Sequence, residues 1–115
     1  MKKYIVLGAV LLSGMLFANE GKPKLEVAKN NTVMATYYYE NGQVQQQGTF
    51  KDGKLHGEWI SYDETGNKIA IAQYSNGAKV GKWFLWNDSS LNEIDYTANK
   101  IVAVKNWKKD AIVTN

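Results

Sequence analysis

The side chains of this 115-residue chain that could do chemistry are one histidine, a few acidic groupings and a large aromatic set of four Trp, seven Tyr and three Phe. His56 stands beside Gly57. As a metal ligand it would need several convergent partners, and as an acid–base group it would need a second group to orient it. Val80 occupies the corresponding place 24 residues on, so a turn residue is expected at His56. Asp63-Glu64, Asp88, Glu93 and Asp95 form the acidic groupings. Facing carboxylates can hydrolyse glycosides, but these lie near turn signals, where Asp satisfies local backbone donors. They read as solvated turn residues. A calcium loop needs several closely spaced oxygen ligands around a glycine, and no segment has them. Lys51-Asp52-Gly53-Lys54 reads as a hairpin turn, because no helical pattern follows it to form a phosphate cradle. No catalytic residue, cofactor or metal is expected.

The aromatics are the sharpest feature. Trp59, Trp83 and Trp107 are spaced by 24 residues, and so are Tyr38, Tyr62 and Trp86. These six are the candidate binding face, or else the core of a thin sheet, since cross-strand aromatic pairs stabilise such sheets.

The elements that position them repeat at the same period. Gly42, Gly53, Gly57 and Trp59 recur as Gly66, Gly77, Gly81 and Trp83, and Phe50 corresponds to Tyr74. Asn41-Gly42, Asp52-Gly53 and Asn76-Gly77 favour two-residue hairpin turns, whose central positions need positive φ. Thr65-Gly66 is a weaker version, and Gly42, Gly53, Gly66 and Gly77 are the structural turn residues. Strands are predicted at 33–40, 43–51, 57–63, 68–75, 81–87, 91–97 and 100–107, with a short first strand possible at 24–28. The fold class is all-β, a single meandering antiparallel sheet of stacked hairpins. The third copy is eroded: Ser90, Ile101 and Lys105 stand at its glycine positions, and Tyr96 matches Tyr74 only if two residues are lost. Trp107 regains register only if the next turn restores them. Because 24 is even, unbulged repeats keep each aromatic column on one face. Both faces then carry apolar side chains, and something must cover the second: curvature, the terminal segments, a second copy or a partner.

Residues 1–18 read as a signal peptide. Lys2 and Lys3 precede an uncharged, mostly apolar run from Tyr4 to Phe17, and Ala18 precedes the expected cut. The run is short for a bilayer span. Residues 19–32 form a leader, 33–107 the repeat domain and 108–115 a tail. The chain has 14 Lys and 11 acidic residues; without Lys2 and Lys3 the balance falls from +3 to +1. With no Arg and no clustered basic face, nucleic-acid binding is not expected. Cysteine is absent, so neither disulfides nor a lipid-modified Cys are available, and the mature chain must hold together by burial and strand pairing. The expected location is the periplasm or the extracellular medium. A protein partner or self-association is compatible with these features, and Lys105, Lys108 and Lys109 beside Trp107 would allow weak contact with an anionic membrane surface.

Three stretches carry a resemblance to a known family: Tyr38-Tyr39-Glu40-Asn41-Gly42, the segment from Phe50 to Trp59 (FKDGKLHGEW) and the segment from Tyr74 to Trp83 (YSNGAKVGKW). They resemble the MORN repeat family, specifically the bacterial variant labelled the YwqK-type antitoxin family, over about Thr36 to Trp107. The resemblance implies a ladder of hairpins used as a non-catalytic interaction or scaffold module, and some members are discussed as lipid or membrane-surface binders. Relatives also carry the label of antitoxin or of nicotinate-nucleotide adenylyltransferase. The latter would need a phosphate-binding turn feeding a helix and usually a histidine pair, and this chain has neither.

Overall fold

The computed structural model describes residues 22–108; the expected signal peptide and most of the tail lie outside them. Nine strands make one antiparallel sheet: β1 (Lys24–Val27), β2 (Thr32–Tyr38), β3 (Val44–Lys51), β4 (Lys54–Tyr62), β5 (Lys68–Ser75), β6 (Ala78–Lys79), β7 (Gly81–Trp86), β8 (Ser90–Thr97) and β9 (Lys100–Lys108). The spatial order is β1-β2-β3-β4-β5-β7-β8-β9, with β6 paired to β5. Each strand thus pairs with its sequence neighbour, the meander that short connections favour. The all-β expectation holds. The short strand β1 occurs where one was possible, and β7 is preceded by the two-residue β6, split from it at Val80.

Two kinds of turn alternate along the ladder. Tight turns, with positive φ at both central residues, occur at Asn30-Asn31, Asp52-Gly53, Asn76-Gly77 and Ala98-Asn99. This is the hairpin geometry whose twist matches that of the flanking strands. Asn41-Gly42 differs from expectation. Only Gly42 has positive φ, and the loop is wider, closed by Tyr39 N–H donating to Gln43 O (2.8 Å) and Gly42 N–H donating to Tyr39 O (3.0 Å). Asp63 to Asn67 repeats that pattern around Gly66.

The eroded third copy keeps its tight turn with no glycine in it. Ala98 takes φ 49° and Asn99 φ 72°, a conformation that crowds the Cβ of alanine at a cost of about 1–2 kcal/mol. Ala98→Gly is therefore expected to stabilise the sheet by about 0.5–1 kcal/mol, after the added freedom of glycine in the unfolded chain is subtracted. That corresponds to a melting temperature several degrees higher, readable by circular dichroism.

The core is one face of the sheet. Ala35, Tyr37, Trp59, Ala72, Tyr74 and Trp83 are buried there, with Phe50, Leu55, Ile94 and Tyr96 packed against them. Register sets which residues share it: Tyr37 pairs with Gln46, Gln46 with Ser61, Ser61 with Ala70 and Ala70 with Leu85.

Candidate functional site

The six repeated aromatics divide between the two faces. Trp59 and Trp83 are core, 2% and 3% exposed, and their surroundings are near copies. The Trp59 indole N–H donates to Thr49 O (2.9 Å), and that of Trp83 to Gln73 O (3.1 Å). Phe50 meets Trp59 edge-on at 5.1 Å, and Tyr74 meets Trp83 edge-on at 5.2 Å, within the range favoured by the ring quadrupoles. Beyond Trp83 lies Tyr96 at 5.0 Å. Lys79 Nζ covers both rings, 5.3 Å from that of Trp83 and 5.2 Å from that of Tyr96. Burial, with the neighbouring Tyr96, holds the Tyr74 hydroxyl in its neutral form well above the usual tyrosine range.

The opposite face carries the others. Cross-strand pairing joins Gln47 to Ile60, Ile60 to Ile71, Ile71 to Phe84, Phe84 to Glu93 and Glu93 to Lys105. Alongside runs Trp86–Leu91–Trp107. Tyr38 and Trp107 are 41% and 37% exposed, while Tyr62 and Trp86 are half-buried.

Trp107 thus departs from the expected column with Trp59 and Trp83. Their register position in the last strand is taken by Val104, which pairs with Ile94 as Trp83 does. The glycine bulge that precedes Trp59 and Trp83, at Gly57 and Gly81 with positive φ, is shorter in β9, where the single residue Val102 is extra opposite the Asp95–Tyr96 step. Trp107 lies three residues past Val104, and an odd step reverses the face. On that face its indole N–H donates to Glu93 Oε1 (3.1 Å), and Lys105 Nζ stands 4.8 Å over its ring. The Trp107 N–H and then Lys82 hold the Glu93 carboxyl below its ordinary range.

The remaining titratable residues take structural places. His56 Nδ1 accepts from the backbone N–H of Asn76 (3.0 Å), tying one tight turn to the next, and Leu55 O accepts from Gly77 N–H (2.7 Å). Glu93 and Asp95 each bind Lys82 Nζ at 3.2 Å. Among the described residues no cluster of three or more His, Cys, Asp or Glu could hold a metal ion.

Asp63 Oδ1 accepts from Thr65 N–H (3.0 Å), Thr65 Oγ1 (2.8 Å) and Asn67 N–H (3.0 Å). The Thr65 hydroxyl first, then the backbone donors of Asn67 and Thr65, lower its carboxyl from 3.8 to about 2. A lowered folded-state value favours the folded state above the unfolded value, and the contribution disappears as pH falls through the folded one. Asp63 therefore makes stability decline between about pH 4 and pH 2, by a small amount because the loop is solvated. In the Asp63→Asn variant, acid titration by circular dichroism is expected to show a shallower decline over that window.

No curated protein matches the chain. A family model described as a MORN repeat variant matches residues 34–52 and 55–76, the segment from β2 to the Asn76-Gly77 turn.

Proposed function

For a chain carrying MORN variant repeats over residues 34–76, in a family generally without enzymatic activity and commonly engaging proteins or membranes, we propose a non-catalytic protein-interaction module. It works through the face of Tyr38, Tyr62, Trp86 and Trp107. The observation that carries this reading is the division of the aromatics. Trp59 and Trp83 are consumed by the core, whereas Tyr38 and Trp107 keep more than a third of their surface open. Rigid aromatics on a sheet supply large contact area at small entropic cost and are enriched where proteins bind partners. Export belongs to the same proposal, and mass determination of the secreted product should find Asn19 at its N-terminus.

The test is capture from the envelope fraction of the producing cells on the immobilised mature chain. A discrete partner retained by the natural sequence and lost with Tyr38→Ala/Trp107→Ala, at unchanged melting temperature, supports the reading. Equal retention by both rejects it. A second reading, peripheral attachment to an anionic membrane, draws on Lys105 stacked over Trp107. Basic residues near an anionic surface are worth about 1 kcal/mol each. Flotation with phosphatidylserine vesicles at low salt decides it: a chain that stays in the lower fractions is not a membrane binder.

A further inference from the structure

The strand β9 ends the sheet among the described residues, and all nine of its residues are exposed. Ile101, Val102 and Val104 are 57%, 60% and 62% exposed. An antiparallel strand spends alternate N–H and C=O groups on its neighbour and leaves the others free at an edge, where another strand can add. Natural edges are usually short or irregular. At the other end of the sheet, β1 meets that description, with four residues preceded by Pro23 and a Lys24–Glu26 pair (3.9 Å) that balances its charge. The β9 edge is long, with a single bulge at Val102, and of one sign. Lys100, Lys105 and Lys108 lie on it, no acidic residue does, and none of the three is in an ion pair among the described residues.

That charge decides the occupant. A second copy added antiparallel about Ala103, with the bulge at Val102 kept, would bring Lys100 of one chain opposite Lys105 of the other on the same face, and like charges directly opposite are unfavourable. We infer that β9 is a docking edge for an extended acidic segment of a partner protein, which adds as the next strand with carboxylates meeting Lys100 and Lys105 on one face and apolar residues meeting Ile101 and Val104 on the other. Backbone pairing supplies the affinity and side-chain alternation the selectivity, the mode of strand addition. The inference rests on the interaction-module reading and names a partner chemistry and a second surface for it.

The experiment uses the full mature chain and a fluorescein-labelled nine-residue peptide of alternating Glu and Val, read by fluorescence anisotropy at low salt. The expected result is saturable binding that is at least tenfold weaker for three comparisons. The first puts Lys in place of each Glu of the peptide, the second N-methylates the peptide's alternate amides, and the third is Lys100→Glu/Lys105→Glu in the protein at unchanged melting temperature. Equal binding of the N-methylated peptide would overturn the proposal, since the attraction would then not involve strand pairing. So would binding that appears only after residues 109–115 are deleted, since the chain's own tail would then occupy the edge. If peptide binding fails while capture that depends on Tyr38 and Trp107 persists, the edge falls and the interaction reading stands. If the peptide binds and that capture is absent, the edge stands and the aromatic face falls.

Discussion

Trp59→Ala is expected to lower the stability of the sheet by about 3–5 kcal/mol, the range for removing a buried tryptophan. Domains of this size have about 5–15 kcal/mol in total, so the variant should be largely unfolded in mild urea. Trp59 is 2% exposed and central to the core cluster. Its loss would open a cavity against Phe50 and remove the donor to the Thr49 carbonyl. Urea unfolding followed by circular dichroism checks this. A midpoint within experimental error of the natural chain would mean that the burial described here is wrong. Trp59→Phe keeps a ring and should cost less, chiefly through lost volume and the hydrogen bond to Thr49 O, worth about 1 kcal/mol.

Gly48→Ala is the second large effect. A Cβ on Gly48 would lie 2.1 Å from Trp59 Cδ2 and 2.3 Å from Cε2 and Cγ. The indole lies across the glycine and is hemmed in by Phe50 and by its own bond to Thr49 O, so it cannot move aside cheaply. Overpacking of this kind costs about 1–3 kcal/mol or more. The sign distinguishes it from an ordinary strand glycine, where alanine gains about 0.5–1 kcal/mol. Repeating the substitution in the Trp59→Ala background should therefore turn the loss into little change or a gain, an interaction energy of the size expected for residues in direct contact. A cost that persists without the indole would place the cause elsewhere.

The period of 24 made most of this fold legible, because tight-turn dipeptides and aromatic columns recur with it and each fixes a local geometry. Asp52-Gly53 and Asn76-Gly77 form the expected turns for the reason given by their residue types. Asn41-Gly42 does not, because Asn41 Oδ1 accepts from Gln43 N–H (2.9 Å) and its amide donates to Glu64 O (3.0 Å). Those bonds suit a wider loop stacked on the next one. The third copy reads as eroded, and its tight turn is unmarked because Ala98-Asn99 has no glycine; there the Asn99 N–H donates to Lys79 O (2.9 Å) and its Oδ1 accepts from Lys79 N–H (2.9 Å), the link that Gly77 N–H and Leu55 O make one repeat earlier. The predicted shortening by two residues is the spacing that brings Tyr96 onto Trp83.

The site was less legible than the fold. Spacing alone assigned Trp107 to the column of Trp59 and Trp83, and parity of spacing holds only while bulges recur at the same place. Gly57 and Gly81 supply them in the first two copies, and the third has instead a bulge one residue shorter, at Val102. Exposure of the β9 edge was likewise not encoded in any motif. It follows from where the sheet ends.

Hydrogen exchange of the four indole N–H groups in ¹⁵N-labelled protein tests the division of the two faces most directly. Trp59 and Trp83, each bound to a backbone carbonyl in the core, should exchange only through global unfolding, while Trp86 and Trp107 exchange orders of magnitude faster through the open face. Trp107 protected together with Trp59 and Trp83, or those two exchanging as fast as Trp107, would contradict the account.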